Sequence, residues 1–396
     1  MHILQRQPID VESTLASLTL AEKILLLSGS DFWHSQDIPS KGISSVKCTD
    51  GPNGARGGRF FNPVSALCIP CGTGLGATWN RDLLFAAAQS QLEYRQKRHL
   101  ATHQKTEHNR RLATESIVLL KNSGGILPIK PQECEDVAVI GPNAKLPAAC
   151  GGGSTNLRPY YTSSVFQGIR DQLPSHAKLH FEPGVFGHVL LPYFTGDHVT
   201  DENGMPGVSI SFFNQPESPW QIRKPFDQQN IPDTTYQLMD YGHPEKGETF
   251  YISMTAYYKP DFDGAYEFDL ASYGTSKFYI DEHLVIDNAS SQTHAGMFFG
   301  HGSIEERGTY EMKSNQTYRL RVEAGRASTS LTTGSSFIPI PGGTCRLGGC
   351  LKFEPAEGIR RAADLAKKCK HTFVVVGLNA DLEKEGKDRE SMGREG

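Results

Sequence analysis

Apolar and polar positions set two rhythms along this chain. Residues 11–29 carry Leu15, Leu18, Leu20, Ile24, Leu25 and Leu27 at helical spacing, with Gly29 as a stop, which predicts an amphipathic helix. Asp31–Thr78 is too dense in Gly and Pro for regular helix and reads as short strands joined by long loops. Helical patterns resume over Arg81–Arg98 and Asn109–Lys121, the second ended by Gly124 and Pro128. Val137–Gly141 and Phe373–Gly377 are unbroken apolar runs of strand length, and Glu357–Lys370 is again helical. That alternation predicts an α/β layered domain with parallel strands.

Over residues 190–350 the period shortens to two. Phe250–Tyr258, Gly264–Leu270, Lys277–Ile280 and Tyr318–Val322 alternate apolar and polar side chains, with turn residues between them. This is the pattern of an all-β sandwich, set inside the α/β domain.

Composition narrows the function classes. The 396 residues suffice for two or three domains. A net charge of -4 offers no basic field for a phosphate backbone, so no nucleic-acid partner is expected. No apolar run approaches the ~20 residues of a membrane span, and Met1–Asp10 lacks the apolar core of a secretory signal. The expectation is therefore no membrane association, with the compartment left open. The eight cysteines are too sparse for a disulfide scaffold and are expected mostly as buried thiols. Cys68 and Cys71 have redox or zinc spacing without a second pair, so no metal is expected, and Cys345 and Cys350 are read as flanking a Gly-rich turn, a candidate pair in an oxidising compartment. Gly151–Ser154 lacks the Lys-Ser/Thr ending of a phosphate cradle and is expected to be a plain loop.

Several strings occur in a telling order. LTLAEKILLLSG, DFW, TDGPNGARG and CGTGLGATWN fall between Leu18 and Asn80, and RLATESIVLLKNSGGILPIK runs from Arg111 to Lys130. VAVIGPNAK, GGGS, GAYEF, FYIDEHLVIDN and GLNADLEKEGKDR follow. Together they resemble family 3 glycoside hydrolases of the β-glucosidase type, in the fungal and yeast branch that carries an inserted PA14 module. The resemblance covers most of the chain.

It implies a multidomain α/β plus β fold in four parts. These are residues 1–105 as the remnant of a TIM-type barrel, 106–189 and 353–396 as two parts of one incomplete α/β domain, and 190–352 as the PA14-like β-sandwich. It implies retaining hydrolysis of terminal β-D-glucosyl residues, with β-glucosides or oligosaccharides as partners and no cofactor. Retention needs two carboxyl groups about 5–5.5 Å apart, one attacking and one shuttling the proton. By resemblance Glu385 is the acid/base, with Glu383 its rival and Asp388 and Arg389 placed to orient its loop. Asp50 matches the sugar-binding aspartate, a role suited to a carboxylate that accepts two hydroxyl hydrogen bonds. Arg56 and Arg59 follow in the same loop as candidates to bind sugar or support Asp50.

Nothing in the chain matches the Ser-Asp-Trp type segment that carries the family's nucleophile, or its Lys-His sugar-binding pair. Asp31 and Asp82 stand in the wrong sequence context. A barrel needs about 250 residues, so the expectation is an internally shortened chain, also cut short after Gly396, that is inactive as written. The alternative is a carbohydrate-binding pseudoenzyme acting through the PA14 module. In a secretory route Asn288 and Asn315 would be glycosylation sites. Residues 1–105 are expected to be poorly packed, with apolar faces in water.

Overall fold

Thr19 splits the first predicted helix in two. Its hydroxyl accepts the Glu22 N–H while Glu22 reaches back to the Thr19 N–H, a capping box that ends Val11–Ser17 and starts Leu20–Leu26 afresh. The computed structural model that shows this describes residues 10–383 except 52, 56, 97–102, 147–148, 153–154, 187, 219–221, 333–339 and 381. The chain forms two units, one of Met1–Arg59, Pro63–Val118 and Thr155–Tyr160, the other of Phe60–Asn62, Leu119–Ser154 and Tyr161–Gly396.

The first unit has a small core, with Leu83, Ala87 and Leu112 buried and Ile69 and Leu75 against them. Asn80 caps the helix Arg81–Gln96 by accepting the Leu83 N–H and donates to Glu115 at the end of the helix His103–Glu115. That second helix stops short of the predicted Lys121. The Ser116 hydroxyl turns back onto the Leu112 and Ala113 carbonyls, and the β-branched Ile117 and Val118 follow. The strands expected in Asp31–Thr78 are reduced, among the described residues, to isolated bridges such as His34 with Lys47 and Ile38 with Ile43. The helices Val11–Ser17 and Leu20–Leu26 bury no residue of their own, and Leu27 and Trp79 are 89% and 93% exposed.

In the second unit the apolar runs form a three-stranded parallel sheet. The central strand Asp136–Ile140 lies between Lys178–Glu182 and His371–Val374, and Val137, Ala138 and Val139 are fully buried. The helices Val165–Gln172 and Pro355–Lys368 flank it in sequence. The sandwich leaves this layer after Lys178–Glu182 and returns before Pro355–Lys368. Its two crossing segments touch, with the Phe186 and Phe353 rings 5.2 Å apart and Arg361 paired to Glu182 at 3.1 Å.

The sandwich has a seven-stranded and a four-stranded sheet. Tyr251–Tyr258 and Tyr318–Gly325 pair antiparallel at the middle of the larger one, and Gly264–Tyr273 pairs with Thr344–Leu351 in the smaller. Alternate side chains, among them Ile252, Met254, Leu320, Val322, Phe268 and Leu270, fill the space between. Each such side chain removed from water contributes about 1.5–3 kcal/mol. Three residues from far upstream join this core. Phe61 packs edge-on to Phe212 and Tyr241 at 5.7 and 5.2 Å, Asp240 accepts both the Phe60 and Phe61 N–H groups, and Asn62 donates to Gln229.

Asp287, at the end of the strand His283–Asn288, gives this domain an acid-sensitive element. Partial burial raises its carboxyl, but the Ser290 hydroxyl, the Ala289 and Ser290 N–H groups and Lys277 outweigh that and hold it down at about 2. A carboxyl lower in the folded state than in the unfolded chain stabilises above the unfolded value near 4. That stabilisation is lost as the pH falls from about 4 towards 2. Urea midpoints of the sandwich are expected to drop over that window, and Asp287→Asn is expected to flatten the drop. An unchanged slope in the variant would count against this assignment.

Candidate functional site

In the parallel sheet the chain passes from the central strand to Lys178–Glu182 on one side, and later to His371–Val374 on the other. The direction of winding reverses at the central strand. The crevice at the carboxyl ends of Asp136–Ile140 and His371–Val374 is thus a switch point, where ligands gather in open parallel sheets. Gly141 begins the turn out of the central strand with φ 114°, and a Cβ there would run into the Val375 carbonyl. This close approach lets the Val375 N–H donate to the Ile140 carbonyl at 2.7 Å. Pro142–Ala144 follow as a short 3-10 turn, from which the Asn143 amide donates to the Leu378 carbonyl at 3.2 Å.

The loop after the His371 strand is fastened here at several points. Glu383 donates its N–H to the Asn379 carbonyl at 3.0 Å, and its own carbonyl accepts the Gly152 N–H at 2.9 Å. Glu383, the sequence's rival acid, stands exposed on this fastened loop at the crevice. Glu385, Asp388 and Arg389 lie outside the described residues. Sequence reasoning missed Asn143, since a Pro-Asn turn after an apolar run signals only a turn.

Asp50 sits in the first unit on a loop braced from within. The Thr49 hydroxyl donates to the Gly57 carbonyl across the loop, and the buried Asn53 accepts the Ile69 N–H on its carbonyl at 2.8 Å. Gly57 adopts φ 89°, and a Cβ there would be 2.6 Å from a Val64 methyl. The main chain is thus held while the Asp50 side chain stands on the exposed surface. Arg56 lies outside the described residues, and Arg59 is exposed.

Three sequence expectations meet the geometry differently. Cys345 and Cys350 do not flank a turn. Both lie on the single strand Thr344–Leu351, five positions apart, so they face opposite sides of the sheet and cannot pair. Burial pushes their thiols up, to about 12 and about 11. Asn288 is fully buried and donates to the Ser303 hydroxyl at 2.9 Å, while Ser290 of the same sequon is taken by Asp287. A glycan on that nitrogen has no room in this fold. Asn315 is exposed in the turn before Tyr318–Gly325 and has room for one. Among the described residues no three of His, Cys, Asp and Glu gather as metal ligands, and no helix is long and apolar enough to cross a membrane.

Comparison with known proteins places this geometry among relatives. The PA14 domain family matches residues 204–344. A protein named probable beta-glucosidase K from Aspergillus fumigatus is 27% identical over 98% of this chain and 72% of its own length. One named probable beta-glucosidase H from Neosartorya fischeri is 26% identical over 97% of this chain and 69% of its own length. The fold is shared with the crystal structure of a Kluyveromyces marxianus β-glucosidase solved in complex with glucose. That match has a TM-score of 0.83 at 23% identity and covers 97% of this chain and 70% of the solved one.

Proposed function

We propose that this chain, similar to fungal and yeast β-glucosidases and matching the PA14 domain family over residues 204–344, handles terminal β-D-glucosyl groups of oligosaccharides or aryl glucosides. In this reading Asp50 binds the sugar hydroxyls and Glu385 serves as acid/base. The observation that carries it is the similarity to β-glucosidases along 98% of the chain. The placing of Glu383, two residues before Glu385, on a fastened loop at the sheet's switch point supports it.

As written, the chain binds sugar rather than cleaving it. The alignment with the Aspergillus relative runs over 552 residues, well beyond the 396 of this chain. A long stretch of that relative therefore has no counterpart here, which supports the reading that the nucleophile segment is missing. Glucose titrated into residues 1–396, followed by calorimetry or NMR, tests the sugar site. Asp50→Asn is expected to weaken binding at least about tenfold, since hydrogen bonds to a charged acceptor contribute about 1.5–3 kcal/mol. Unchanged glucose affinity in the variant would remove Asp50 from the site. Glycan binding that survives Asp50→Asn would favour the second reading, in which the PA14 domain is the binding module.

A further inference from the structure

The braced Asp50 loop is followed at once by the three residues that belong to the sandwich core. Arg59 and Pro63 lie in the first unit, and Phe60–Asn62 lie in the second. Phe61 is a buried member of the sandwich's hydrophobic cluster, packed edge-on against the stacked Phe212 and Tyr241 rings. The Asp240 carboxylate takes the Phe60 N–H at 2.9 Å on one oxygen and the Phe61 N–H at 3.0 Å on the other. Asn62, held at φ 45°, donates its amide to Gln229 at 3.1 Å and to the Asn230 carbonyl at 3.4 Å. A segment that only passed by would not need a carboxylate spanning two successive N–H groups, a buried ring and a strained side-chain anchor.

We propose that Phe61 and Asp240 are positioning residues for the candidate sugar loop, so that the folded PA14 sandwich sets the conformation from which Asp50 binds. The connection is short and can be followed link by link. Phe61 lies four residues after Gly57, whose carbonyl is held by the Thr49 hydroxyl, and Thr49 adjoins Asp50. Fixing the main chain at Phe60 and Phe61 removes conformations from the few residues before it, and the cost of ordering them is met before sugar arrives. By linkage, a sugar that prefers the ordered loop also favours the seated Phe61. The sugar half of this inference rests on the Asp50 reading, and the latch half does not.

The test uses the full chain. Trypsin cleavage after Arg59 reports the release of Phe60, glucose titration reports the loop, and thermal melting of the sandwich reports its fold. Asp240→Asn, isosteric and at an exposed residue, is expected to speed cleavage after Arg59 at least about tenfold and to weaken glucose binding several-fold, with the sandwich still folded. Phe61→Ala is expected to do both more strongly, and Phe61→Leu to restore much of each. Cleavage and affinity unchanged in Asp240→Asn, with the sandwich intact, would overturn the proposal even if Phe61→Ala fails to fold. Faster cleavage with a glucose response that is also indifferent to Asp50→Asn would uphold the latch and sink the sugar reading instead.

Discussion

Residues 1–396, offered an aryl β-glucoside, are expected to release aglycone at least about 10⁴-fold more slowly than a full-length β-glucosidase of this type. A retaining hydrolase divides a hard displacement into two steps through a covalent glycosyl intermediate, and that needs a second carboxyl across the scissile bond from the acid/base, proposed here as Glu385. No such carboxyl is found in a matching sequence context. An acid alone supplies about 10²–10⁴-fold, far short of the acceleration that glycoside hydrolysis requires. In its proposed role as sugar ligand, Asp50 could not also replace the nucleophile without leaving the hydroxyls it would bind. Turnover comparable to the full-length enzyme, abolished by Glu385→Gln, would overturn this expectation and point to a nucleophile that the sequence pattern does not reveal.

The largest stability effect is expected at a buried ion pair in the sandwich. Asp269 and Arg346 are both buried and meet at 2.6 Å. Asp269 also accepts the Leu191 N–H at 2.8 Å and the Gly348 N–H at 2.9 Å, and Arg346 donates to the Leu191 carbonyl. Burial pushes the Asp269 carboxyl up, while Arg346 and the Leu191 N–H pull against it. Arg346→Met leaves that carboxylate buried without its counter-charge and is expected to cost about 3–5 kcal/mol. In a domain of this size that lowers the melting point by about 10–15 °C.

The pH dependence gives a sharper test than the loss itself. A carboxyl raised in the folded state contributes most stability below its unfolded value, and loses it as the pH rises through the folded value. Without Arg346 the upward push grows, so the gap between variant and parent is expected to widen as the pH rises through the acid range and to narrow below about pH 4. A loss of the same size at every pH would show that the guanidinium matters for packing rather than charge.

The fold was legible where one physical signal dominated. Period-two alternation located four of the sandwich strands, and the apolar runs Val137–Gly141 and Phe373–Gly377 located two of the parallel strands, because both patterns follow directly from which faces are buried. The pattern was less reliable where a local hydrogen bond competes with periodicity. Thr19 broke one predicted helix by capping, and Ser116 ended another early. The Gly348-Gly349 pair in Thr344–Leu351 looked like a turn. In the strand these glycines make room instead, since side chains there would collide with Asp269 and with the Phe194 and Phe268 rings. For the candidate site, the loops carrying Asp50 and Glu383 were visible as motifs. The supports Asn143, Phe61 and Asp240 were not, because each acts through main-chain partners distant in sequence.

The edge-to-face contact of Phe186 and Phe353 bears on the order in which this protein folds. The parallel sheet needs His371–Val374 beside Asp136–Ile140, with the whole sandwich strung between Glu182 and Pro355. While the sandwich is unfolded, bringing those strands together means closing a very long loop before any contact rewards it. Once the sandwich has formed, the chain leaves and re-enters it at neighbouring points, with Phe186 and Phe353 5.2 Å apart. The same closure then spans only the few residues on either side. The inserted domain is thus placed to act as an intramolecular clamp, and the parallel sheet is expected to form late, at a rate that follows how fast a separate all-β domain folds.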